Sequence, residues 1–103
     1  MHHWLPRLRH GLAPDGHTLY WPDIVLVLNG QEDARFGYSY STKPGDVDKA
    51  FTSLDAAVGY LEQTLTRFVR PGDQVNWHGH TFTEVAAAIA GIRANPVEDP
   101  YER

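Results

Sequence analysis

The chain has no cysteine in 103 residues and only one methionine. This removes disulfides, thiolate metal sites and cysteine nucleophiles together, and it fits a reducing compartment. No apolar run reaches the roughly 18 residues that a membrane-spanning helix needs, so no membrane contact is expected. The opening Met1-His2-His3-Trp4-Leu5-Pro6 lacks the apolar segment of a secretory signal, which makes a cytoplasmic location the expectation. Basic residues are few: nine Lys and Arg stand against thirteen Asp and Glu, for a formal net charge of -4. That balance works against a general affinity for nucleic-acid backbone or anionic membrane. A Gly-x-Ser-x-Gly elbow, a phosphate-binding glycine loop and a zinc-finger pattern are all missing, as are internal repeats.

What is present reads as one soluble globular domain. Hydrophobic residues make up 42% and charged ones 21%, a folded rather than disordered composition. The length suits one domain and is enough to bury a core without staples. We expect an irregular N-terminal arm over 1–22, an α+β domain over 23–95 and an acidic tail over 96–103. The arm holds four of the six histidines (His2, His3, His10, His17) and the turn signal Pro14-Asp15-Gly16. Trp4, Leu5, Leu8 and Leu12 would pack it down, with at most one short edge strand.

Asp23 to Asn29, D-I-V-L-V-L-N, is a continuous β-branched apolar run, the pattern of an interior strand buried on both faces. Arg35 to Ser41 alternates, with Phe36, Tyr38 and Tyr40 on one face. The stretch from Asn29 to Ala34 would join these two strands as a longer hairpin loop. After a loop over 42–49, Leu54, Val58, Leu61, Leu65 and Phe68 recur at helical spacing. Thr52 or Ser53 can cap that helix, and Pro71-Gly72 ends it. Val75 and Trp77 alternate with polar neighbours as a third strand. A second helix, starting near Thr81 or Thr83, presents Phe82, Val85, Ile89 and Ile92 and stops at Asn95-Pro96. The fold class is therefore α+β, a small, mainly antiparallel sheet of three to four strands with two helices, in the order arm-β-β-α-β-α.

The sharpest chemical signal is Trp77-His78-Gly79-His80, followed by Glu84. Two imidazoles and a carboxylate are a donor set suited to a divalent metal such as zinc or iron(II). The spacing of Gly72, His78-x-His80, Glu84 and Gly91 is similar to the first motif of the cupins, and that resemblance implies His78, His80 and Glu84 as metal ligands in a β-barrel. A cupin also needs strands on both sides of this motif and a second histidine motif downstream. Here both flanks read as helix and only twelve residues follow Gly91, so the segment is not assigned to that family. In the plainer reading, His78-Gly79 is a tight turn and Thr81-x-x-Glu84 a capping box. The plainer reading carries more weight. Met1-His2-His3 adds an amino-terminal copper(II) or nickel(II) motif of a kind that any chain beginning this way would have.

The run Arg35-Phe36-Gly37-Tyr38-Ser39-Tyr40 loosely resembles the base-stacking strand of RNA-recognition motif domains. Stacking on such rings is worth roughly 1–3 kcal/mol per base. The element order and acidic charge depart from that family, and packing of Phe36 and one or both tyrosines under the first helix is favoured over single-stranded nucleic acid. The leading expectation is a non-catalytic module acting through protein–protein contact, as a regulator or inhibitor of the kind encoded by a mobile element, immunity locus or phage. Its expected contacts are Glu32, Asp33, Tyr38, Tyr40 and Tyr101, with no catalytic residue and no cofactor assigned. The sequence carries no signal for the identity of the partner or for the oligomeric state.

Overall fold

A computed structural model describes residues 2–38 and 50–96. The element order is β1 (His3–Leu12), β2 (Thr18–Leu28), β3 (Gln31–Gly37), α1 (Leu54–Phe68), β4 (Gln74–Trp77), β5 (His80–Phe82) and α2 (Val85–Ala94). The expected α+β class holds, with five strands where three to four were expected, in the order β3-β2-β1-β4-β5. All neighbours are antiparallel except β1 and β4, which run parallel. Both helices cover one face. Trp4, Leu8, Ile24, Leu26, Val75 and Trp77 of the sheet meet Ala57, Val58, Leu61 and Leu65 of α1 and Ala88, Ile89 and Ile92 of α2. Each such leucine or isoleucine, fully buried, contributes roughly 1.5–3 kcal/mol.

The largest departure from the expected organisation lies at the start. Residues read as an irregular arm form β1, the middle strand of the sheet, which pairs with β2 from His3↔Val27 to Leu12↔Thr18. Pro6 makes the segment look unlike a strand, because proline cannot donate to a ladder. It is tolerated because the register with β4 covers only His3 and Trp4. Pro22 in β2 sits at a similar break. The pairing with β3 begins at Asp23, and Tyr20 instead bridges Phe51.

The junction of β2 and β3 is also tighter than the longer loop expected. Asn29 and Gly30 both have positive φ, 55° and 78°, and form a two-residue turn closed by the pair Leu28↔Gln31. Positive φ at both central positions is what such a turn requires, and Asn-Gly supplies it at little steric cost. The acidic residues beyond it are strand. Between Leu26↔Ala34 and Val27↔Glu32 the register shifts, which leaves Asp33 as the extra residue of a bulge.

Helix α1 starts where the sequence suggests, with the Ser53 hydroxyl accepting from the Ala56 N–H at 3.2 Å. Helix α2 starts later than expected, at Val85, because Thr81 and Phe82 belong to β5. Glu84 is its N-cap residue but makes no side-chain capping bond, so the Thr81-x-x-Glu84 box is not formed. None of the described helices is long and apolar enough to cross a membrane.

One buried carboxylate fastens β1 to the rest. Asp73, in the turn before β4, accepts from the Trp4 indole at 3.0 Å, the His2 N–H at 3.2 Å and the Arg70 N–H at 3.1 Å. Burial pushes this carboxyl up, but the hydrogen bonds from Trp4, Arg70 and His2 outweigh it, and its pKa lies below the ordinary 3.8. A carboxyl depressed in the folded state contributes its stability in full above its unfolded pKa and loses it as pH falls through the folded value. Urea unfolding should therefore show stability constant down to about pH 5 and declining below about pH 4. Asp73→Asn should flatten part of that decline and cost about 2–4 kcal/mol at neutral pH.

Candidate functional site

The β4–β5 connection resolves the histidine motif. Trp77 pairs with His80, and His78 and Gly79 are the two turn residues, with φ of 49° and 80°. His78 packs edge-on against the Trp77 ring, at 4.6 Å between centroids, while His80 lies 6.5 Å from Phe82. The two imidazoles occupy different kinds of position, one in a turn and one on a strand. Glu84 stands beyond the end of β5 as the first residue of the α2 cap. Among the described residues, no three His, Cys, Asp or Glu side chains are grouped to hold a metal ion. At the amino terminus, the His2 N–H that square copper(II) binding would have to deprotonate is engaged by Asp73.

The aromatic run is divided between packing roles. Phe36 stacks between Trp4, at 6.0 Å, and Phe68, at 5.1 Å. Tyr38 meets Phe51 at 4.9 Å and Tyr60 of α1 at 5.3 Å, both edge-on. These two rings are thus spent on the helix side of the sheet, as the core-packing reading expects. Tyr40 and Tyr101 lie outside the described residues.

Glu32 and Asp33 sit at the exposed edge of the sheet. Glu32 receives two hydrogen bonds from Arg35, at 2.8 and 3.3 Å, and that bonding holds its pKa below the ordinary 4.5. Asp33 is the bulge residue. A bulge and a row of charges are the devices that keep an edge strand from pairing with another chain, so this edge is protected against strand addition.

On the sheet face away from the helices, Asp23 is almost fully buried, at 1% exposure. Arg7 grips it with both ends, Nε to Oδ1 at 2.9 Å and Nη2 to Oδ2 at 2.8 Å. Guanidinium nitrogens of Arg9 and Arg35 stand 3.6 and 3.8 Å from the same carboxylate. Gly37 caps this arrangement, since a Cβ there would lie 2.6 Å from the Asp23 Cα and from the Pro22 carbonyl oxygen. No sequence motif announces this cluster. The signal that could have found it is the alternation of Arg7 and Arg9 with Leu8 and His10, which places both arginines on one strand face opposite Asp23.

The helix-side face of the β1–β2 hairpin carries a groove. One cavity of about 150 Å³ is lined by Leu8, His10, Thr18, Tyr20, Leu54 and Pro96. A second, also about 150 Å³, shares Leu54 and Pro96 with it and adds Asp55, Val58 and Arg93. Arg93 holds Asp55 at 2.8 Å across the rim. The groove exists because the hairpin outruns the start of α1. Ten residues of β1 span about 33 Å, and Leu12 near the hairpin end is 67% exposed, on the same face as the buried Leu8. Sequence reading missed the groove because it missed β1.

No protein-family model, no curated protein and no solved structure matches this chain.

Two substitutions check these geometries. Asp23→Asn removes the buried carboxylate that Arg7 grips with two hydrogen bonds and should cost about 3–5 kcal/mol in urea unfolding. His78→Asn better suits a left-handed turn position and should add on the order of 0.5 kcal/mol, raising the thermal midpoint by a few degrees.

Proposed function

We propose that this domain is a non-catalytic binding module that acts on a protein partner, as a regulator or inhibitor, through the groove between the β1–β2 hairpin and the start of α1. The observation that carries the reading is Leu12, a large aliphatic residue 67% exposed, further along the same strand as Leu8 and His10, which line an apolar groove that the described residues leave open. Pockets for metabolites and cofactors usually enclose several hundred Å³. Cavities of about 150 Å³ are instead the size of one or two side chains, as expected where a neighbouring protein inserts an anchor residue. The lining suits such an anchor: Leu8, Leu54 and Pro96 offer apolar contact, while His10, Thr18 and Tyr20 supply polar groups at its edge.

Mutation of an exposed lining residue tests the reading without disturbing the core. Immobilised wild-type protein should retain a partner that Thr18→Arg, with an unchanged thermal midpoint, loses by at least about tenfold in affinity, equivalent to about 1.4 kcal/mol. Retention of the same proteins by both forms, or of none by either, contradicts the proposal.

A further inference from the structure

The turn between β2 and β3 places two reactive groups side by side. Asn29 and Gly30 are both exposed, and the pair Leu28↔Gln31 closes the ladder around them. Among the described residues nothing accepts a hydrogen bond from the Gly30 N–H, so that nitrogen is open to solvent and to base. A glycine at this position also puts no side chain between its nitrogen and the Asn29 amide. We infer that Asn29 is a site of spontaneous covalent modification, converting in the folded protein to a mixture of aspartate and isoaspartate.

The chemistry needs only water. The Gly30 nitrogen loses its proton to solvent base and attacks Cγ of Asn29, forming a new C–N bond. The tetrahedral intermediate expels the side-chain nitrogen as ammonia, which takes its proton from solvent, and a five-membered imide remains. Water then opens the imide at either carbonyl. Opening at Cγ leaves aspartate, and opening at the backbone carbonyl leaves isoaspartate, with the chain rerouted through the side chain. The balance is one water consumed and one ammonia released, with no change of oxidation state.

Three other sites show why this one is singled out. Asp15-Gly16 also pairs a side-chain carbonyl with a following glycine, but the Gly16 N–H is bound to the Ala13 carbonyl at 2.9 Å. The Asp15 carboxyl is moreover held below its ordinary pKa, chiefly by the His17 backbone N–H, and a carboxylate anion is a poor electrophile. Asn76 lies inside β4 and is followed by the buried Trp77. Asn95 precedes Pro96, which has no N–H to lose.

The two products differ in consequence. Aspartate is compatible with the left-handed turn and adds a charge close in sequence to Glu32 and Asp33. Isoaspartate inserts an extra backbone carbon and breaks the register Leu28↔Gln31 that the turn imposes. Both products add a carboxylate close in sequence to Glu32 and Asp33, so modification makes the β3 edge more acidic in either case and also loosens it in the isoaspartate form.

Peptide mapping by mass spectrometry, after days of incubation at 37 °C at pH 6 and at pH 9, tests the inference. Parallel samples are the protein unfolded in urea and the folded Asn29→Gly variant, whose glycine suits the φ of 55°. The expected result is amide-to-acid conversion at Asn29 in the folded wild type, faster at pH 9, ahead of Asn76 and Asn95, and no conversion at position 29 in the variant. An unmodified Asn29 in the folded protein, while the urea sample converts, overturns the inference. So does conversion that appears first at Asn76 or Asn95.

Discussion

The structure depends on a carboxylate that fixes the first strand in the middle of the sheet. Asp73 takes hydrogen bonds from the Trp4 indole and from the His2 and Arg70 backbone, and those from His2 and Trp4 span 71 and 69 residues of sequence in a chain that has no cysteine to make a disulfide. Without β1 in place, β2 and β4 have no common neighbour, and the helices lose the Trp4 and Leu8 surfaces on which they sit. The carboxylate is buried, so it is stable there as an anion only because several donors face it. The fold and the ionisation of one side chain are thereby coupled.

A second buried carboxylate does a similar task on the other face of the sheet. Asp23 lies among Arg7, Arg9 and Arg35, so charge links β1, β2 and β3 on the face where Leu19, Trp21 and Val25 are also buried, and apolar packing holds the helix side. Gly37 permits it, because no other residue leaves room for β3 to close over Asp23. Such clusters add little net stability compared with a well-packed apolar substitute, but removal of one member is costly. They also fix register, since a one-residue slip would turn Asp23 into the helix side of the sheet.

How much of this was legible in the sequence follows from where the apolar pattern is unmixed. The D-I-V-L-V-L-N run and the Leu54–Phe68 stripe could be read directly, because each shows one period and one boundary signal, and the cap could be narrowed to Thr52 or Ser53, of which Ser53 makes the bond. The tight turn at His78-Gly79 was legible as the plainer of two readings. β1 was not, since Pro6, two arginines and two histidines interrupt it, and their partners lie far along the chain. The same blind spot hid the groove, which needs the distal half of β1 as its floor. Asn29-Gly30 looks like the start of a longer loop because the acidic residues after it have loop composition, whereas the bulge at Asp33 lets them continue as strand.

The groove is a consequence of one mismatch of lengths: the hairpin extends past the helix that covers its base. Leu8 is buried while Leu12, four residues further on the same face, stands open. All of this presupposes that His3–Leu12 is a core strand and not part of an arm. Native-state hydrogen exchange of the Trp4 indole N–H and the β1 backbone amides tests that most directly. The account predicts that the indole and the Trp4 amide exchange only through global unfolding, in the same class as Ile24 and Leu26. Exchange of the β1 amides at the rate of an exposed loop, with β2 still protected, would contradict it.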